Sequence, residues 1–135
     1  AYERANEQLN QVSKKWQSEV EKVAEEAKTL YKNYQSEAVF LSEEQKGKKE
    51  EAIVAKEKEA AELRRTYFGP EGELFKKRES LMQPIQDEIY NAVKEISEQK
   101  GYSVVVDRAS ATSIIFAFPR IDISNEVLAK LGYSN

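Results

Sequence analysis

The side chains that carry most enzyme chemistry are missing from this chain, and what remains points to contact rather than reaction. Its 135 residues include no histidine and no cysteine. The commonest general base, the thiol nucleophile and the nitrogen and sulfur ligands of zinc are therefore absent. The five glycines, at positions 47, 69, 72, 101 and 132, match neither a phosphate-binding loop nor a dinucleotide fingerprint. Lys76-Lys77-Arg78 is the one basic cluster, and Glu73 and Glu79 flank it. That reads as a solvated helix face, not a polyanion site. No catalytic residue, metal, cofactor or nucleic-acid partner is expected. The residues with potential are apolar ones out of register, above all Val39-Phe40-Leu41, three in a row where helical spacing breaks down.

The elements that position them follow from charge and periodicity. Thirty-nine charged side chains fall in residues 1–100 and six in residues 101–135. With 33% charged residues and a mean hydropathy of −0.72, there is too little apolar material for one large core. Long helices resolve this, because a helix pair buries a narrow seam and leaves its other faces in water. The net charge of −3 is mixed in sign along the arm. No apolar run approaches the ~18 residues of a membrane span, so stable membrane insertion is not expected.

Apolar residues at Tyr2, Ala5, Leu9, Val12, Trp16, Val20, Val23, Ala27, Leu30 and Tyr34 recur at intervals of three and four. They predict one uninterrupted helix with a stutter near Trp16–Val20. Ser42-Glu43-Glu44-Gln45 has the form of a capping box, so a second helix starts at 43 after almost no loop. A connection that short makes the two helices antiparallel neighbours, with a tip near 40–43. Phe40 and Leu41 at this tip are a candidate contact site; the alternative is that they fold back over it as a staple. The second helix carries Ile53, Val54, Ala60, Ala61 and Leu63, then must stop or kink at 68–72, where Gly69, Pro70 and Gly72 form a candidate hinge. Helical spacing resumes at Glu73 and runs across Pro84 to a stop at Gly101.

Beyond Gly101 the pattern changes. Ser103–Asp107 and Thr112–Phe118 are β-branched and aromatic runs that predict a hairpin, with Pro119 ending its second strand. Val104 and Val106 share one face, and Ile114, Phe116 and Phe118 share another. A hairpin apolar on both faces is marginal alone, so further strands are expected from other subunits or from a segment upstream of Ala1. The second arm also outlasts the first by about a dozen residues, ~18 Å of helix, which again calls for an upstream partner. Asp122 or Ser124 should cap a short last helix bearing Val127, Leu128 and Leu131. The expected fold is thus α+β, mostly α. A long antiparallel helical hairpin (1–100) is attached to a small β-sheet body with a short C-terminal helix (101–135).

This plan resembles the Skp/OmpH family of periplasmic chaperones. The resemblance lies in the two-helix arm, the GYSVVVD segment after a helix, the ATSIIFAF run and the closing DISNEVLAKLG. Its most specific parts are YFGPEG and PIQDEIYNA, which are similar to Bacteroidetes-type members. The resemblance implies a homotrimer whose helical tentacles enclose a cavity for unfolded outer-membrane proteins, holding them without ATP. Family members begin with a strand of the KIAIVN type, which has no counterpart here and matches the upstream strand expected above. The best-known members are strongly basic, whereas this chain has a pI near 5.3, so attraction of acidic clients or lipopolysaccharide does not carry over. On this reading clients touch Tyr31, Tyr34, Val39, Phe40, Leu41, Ile53 and Val54, and oligomerisation uses Val104, Val106, Ile114 and Phe116. The alternative is a coiled-coil spacer or scaffold binding a folded envelope partner, with a fully satisfied seam.

Overall fold

The computed structural model describes residues 1–133; the last two residues of the expected tail lie outside the described residues. The chain resolves into two compact units, Ala1–Leu81 and Met82–Asn135.

In the first unit, helix α1 spans Tyr2–Glu37 with neither glycine nor proline to interrupt it, and buries Ala5, Leu9, Val20 and Ala27. It tightens into a 3₁₀ turn at Ala38–Phe40, and Leu41 then adopts extended backbone. Helix α2 spans Glu43–Phe68. Its first turn is closed reciprocally. The Gln45 N–H donates to Ser42 Oγ at 3.2 Å, and the Ser42 N–H donates to Gln45 Oε1 at 3.0 Å. Such a cap contributes about 1 kcal/mol and fixes where the chain reverses.

Helices α1 and α2 pack antiparallel, as their cross-links record. Glu37 pairs with Lys49, Tyr34 with Glu50, Glu26 with Lys56 and Glu19 with Tyr67. As the α1 number falls, the α2 number rises. The seam between them is thin: Val20 is fully buried, with Ala27, Ile53 and Ala60 under one tenth exposed. Burying a side chain of the size of Val20 or Ile53 is worth roughly 1.5–3 kcal/mol, and alanine much less.

Helix α2 ends because Pro70 forces Gly69 out of helical backbone; Gly69 sits at φ −71°, ψ 172°. The Gly72 N–H then donates to the Gly69 carbonyl at 2.9 Å, and Glu71 between them has φ +56°. Proline at the second position and positive φ at the third are the marks of a type II turn. A glutamate and not a glycine takes the positive φ here, and the glycines answer a lack of space. A β-carbon on Gly69 would lie 2.4 Å from the Arg65 carbonyl oxygen, and one on Gly72 would lie 2.8 Å from that of Thr66.

Helix α3, Glu73–Lys100, continues through Pro84. In the second unit it buries Ala92 and Ile96. It stops at Gly101 (φ +74°), after which the Tyr102 N–H donates back to the Ser97 carbonyl at 2.9 Å, a Schellman closure. Helix α4 spans Ser124–Lys130. Asp122 Oδ1 accepts from the Ser124 N–H at 2.8 Å and from its hydroxyl, which holds the Asp122 carboxyl below the usual range. Two ion pairs tie α4 to the end of α3: Lys100–Glu126 at 2.7 Å and Lys130–Glu95 at 3.0 Å.

The expected β body is not present. Among the described residues the regular elements are helices, and none is a strand. Between Gly101 and Pro119 the chain is irregular, and the turn at Asp107 shows why. Its carbonyl accepts from the Ser110 and Ala111 N–H groups at 3.2 and 3.0 Å, while its side chain accepts from the Ala109 N–H at 3.0 Å. Arg108 donates to the Ile114 carbonyl at 2.8 Å. Local bonds take the groups that a ladder would use. Val104, Val106, Ile115 and Phe116 stand more than half exposed. β-Branched composition is a preference for a pleated, half-buried surface, not for a lone strand. No neighbour supplies that surface in a single chain, so the α+β expectation gives way to an all-helical fold.

The turn generates a paired test. Glu71→Gly relieves the positive-φ penalty and should stabilise the chain by roughly 0.5–1 kcal/mol, after allowing for the added freedom of glycine when unfolded. Gly72→Ala forces a backbone clash and should cost about 1–3 kcal/mol. Urea titration followed by circular dichroism separates them; equal effects of the same sign would contradict the assigned turn.

Candidate functional site

The reversal between α1 and α2 places its apolar residues outward. The 3₁₀ turn at Ala38–Phe40 changes the helical pitch, so Val39 and Phe40 leave the seam and are 85% and 86% exposed. Leu41, which follows them, is half-buried. Down the arm, Tyr31 is 51% exposed on α1 and Val54 is 60% exposed on α2. Ile53, one residue earlier, is 7% exposed and belongs to the seam. Tyr34 is half-buried with its hydroxyl donating to Glu50. Val39, Phe40, Tyr31 and Val54 therefore present apolar area to solvent, while Ile53 and the Tyr34 ring hold the helices together.

Charges around the tip are paired and open to water. Lys49 bonds Glu37 and Lys46 bonds Glu43. Lower down, Lys56 bridges Glu26 and Glu59 at 2.9 and 3.1 Å, which lowers the Glu26 carboxyl and raises the Lys56 ammonium from their ordinary values. Exposed pairs of this kind set register more than stability. Among the described residues, no group of three acidic side chains converges as a metal site. No helix is long and apolar enough to cross a membrane.

Gly69, Pro70 and Gly72 lie together in the turn between α2 and α3. Gly72 is buried and Pro70 exposed. Beside that turn is a contact that sequence reasoning missed. The Tyr67 ring stacks on Trp16, centroids 4.8 Å apart and 6° from parallel, and its hydroxyl donates to Glu19. The signal available was the stutter at Trp16 and an aromatic pair directly before Gly69, but pairing 16 with 67 required the register. In the second unit Val104 is 77%, Val106 53% and Phe116 70% exposed, with Ile114 half-buried. Phe116 meets Phe118 edge-on at 5.0 Å, and Arg120 lies over the Phe118 ring at 4.7 Å.

The hydroxyls of Tyr34 and Tyr67 donate to carboxylates only while protonated. Those hydrogen bonds raise both tyrosines above the ordinary range, with desolvation adding to the effect. A raised folded value means that the stabilisation is complete below the ordinary tyrosine pKa of about 10 and is lost as pH rises through the raised value. Spectrophotometric titration should show a late-ionising phase that disappears in a Tyr34→Phe, Tyr67→Phe chain. A late phase that survives both substitutions would disprove the assignment.

A search among curated proteins finds no match to this chain. The family model described as "Outer membrane protein (OmpH-like)" matches residues 1–131. That is nearly the full length, covering the arm, the turn at Gly69–Gly72 and the tail together. The chain belongs to the OmpH-like outer membrane protein family.

Proposed function

We propose that this protein is an ATP-independent holdase chaperone that binds unfolded outer-membrane proteins in the periplasm and prevents their aggregation. The observation that carries the reading is the exposed apolar tip. Val39 and Phe40 keep 85% and 86% of their surface in water at the end of a paired-helix arm, where no packing need explains them. Surfaces of this kind hold an unfolded chain weakly and at several points, and multipoint contact gives retention without slow release. Tyr31 and Val54 extend the contact along the arm with half-buried Leu41, while Tyr34 and Ile53, assigned to clients from the sequence, act in the seam that supports it. Family membership supports the client class, and it supports binding rather than catalysis.

In this reading the working form is a homotrimer whose arms surround the client. Val104, Val106, Ile114 and Phe116 are assigned to contacts between copies, since they leave apolar surface in solvent. Gly69, Pro70 and Gly72 serve as the hinge. The spacer alternative requires a fully satisfied arm, and the bare tip counts against it.

The test is suppression of light scattering when a urea-denatured β-barrel membrane protein is diluted into buffer. The parent chain should suppress aggregation. Val39→Ser with Phe40→Ser should weaken suppression severalfold while shifting stability by no more than about 0.5 kcal/mol, as exposed positions do. Suppression unchanged by the tip substitutions removes the tip from the mechanism. No suppression by the parent chain returns the spacer reading. Val104→Ser with Phe116→Ser should instead alter the mass measured by light scattering.

A further inference from the structure

The turn after α2 holds a conformation that its own residues do not favour. Glu71 takes φ +56°, which side-chain-bearing residues adopt reluctantly. Its exposed carboxylate makes no ion pair among the described residues, so nothing local rewards that backbone. The one bond closing the turn is Gly72 N–H to the Gly69 carbonyl. On one side the Gly72 carbonyl accepts from the Lys76 N–H in the first turn of α3; on the other the turn is anchored by the end of α2.

That end is docked twice. Tyr67, the penultimate residue of α2, lies flat on Trp16 at 4.8 Å and donates its hydroxyl to Glu19. Trp16 and Glu19 are three apart on one face of α1, so the pair fixes both the position and the rotation of the ring. Phe68 packs edge-on against Tyr67 at 6.3 Å. Trp16, Tyr67 and Phe68 are all half-buried, whereas Val20 and Ile53 lie within the buried seam.

We propose that Trp16, Tyr67 and Glu19 form a latch that holds the α2–α3 turn in its strained conformation. Undocking Tyr67 lets Glu71 return to ordinary backbone and frees the direction in which α3 leaves the hairpin. The latch and the strain oppose each other, which makes the turn a two-state element instead of a passive kink. Its use in client capture rests on the hinge reading above, but its existence does not.

The chain has one tryptophan, so Trp16 emission reports the latch directly. Arg64, Arg65, Lys76 and Lys77 bracket the turn as tryptic sites. Tyr67→Ala should shift Trp16 emission to the red, raise its quenching by acrylamide and speed trypsin cleavage at these sites about tenfold. Helix content should stay constant. Adding Glu71→Gly to that variant should return cleavage close to the parent rate, because a turn without strain needs no latch. A stack that is only structural gives no such rescue. Should Tyr67→Ala lose helix content, Tyr67→Phe with and without Glu71→Gly repeats the comparison with the ring retained. Unchanged emission and cleavage in the single variant overturns the proposal, as does a double variant cut as fast as the single one. No client enters these measurements, so failure of the latch and failure of the holdase reading are told apart.

Discussion

Everything in the arm depends on a seam too thin to choose its own register. Val20 is its one fully buried large side chain, and Ala27, Ile53 and Ala60 complete a small apolar strip. A strip rich in alanine can slide by one helical turn at little cost in buried area. Directional contacts make the choice. Lys49 on Glu37, Lys56 on Glu26 and Tyr67 on Trp16 are mutually consistent in one alignment only. Ser42 and Gln45 close the reversal at one residue. With the register set in this way and the 3₁₀ turn at Ala38–Phe40, Val39 and Phe40 stand outside the seam. Polar contacts that add little to stability thus determine which apolar residues the protein shows to water.

The parts of the molecule governed by local rules were legible in the sequence. The three-and-four spacing from Tyr2 to Tyr34 makes α1, Ser42 and Gln45 form the capping box, and Gly101 terminates α3 at positive φ. Each depends on residues within one or two turns of each other. The Trp16–Tyr67 stack spans 51 positions and was not legible, because it depends on the register of two helices. Ile53 and Val54 could not be told apart as client contact or seam residue because α2 offers few apolar neighbours to define its face, and only packing against α1 distinguishes them.

The tail misled for a different reason. Val104-Val105-Val106 and Ile114-Ile115-Phe116 have the composition of strands, but composition reports what a residue prefers when a sheet is available. Within this chain Asp107 offers its carboxylate to Ala109 and its carbonyl to Ser110 and Ala111, and the backbone takes those bonds instead. The helix after it was easier to place. The N-cap position falls on Ile123, without a side-chain cap bond, and Asp122, two residues before α4, accepts from the Ser124 N–H and hydroxyl, so neither residue the sequence offered stands at the cap itself.

The thin seam also bears on how such a protein changes through time. Most positions on a two-helix arm face water on three sides, where a substitution shifts stability by no more than about 0.5 kcal/mol. Selection on folding therefore reaches only the strip, the cap and the turn, and leaves the remaining positions to drift. A lineage built on this plan would keep its spacing and punctuation while its letters diverge. Kinship among its members would then be carried by pattern over nearly the whole length, the span over which the family match runs at residues 1–131.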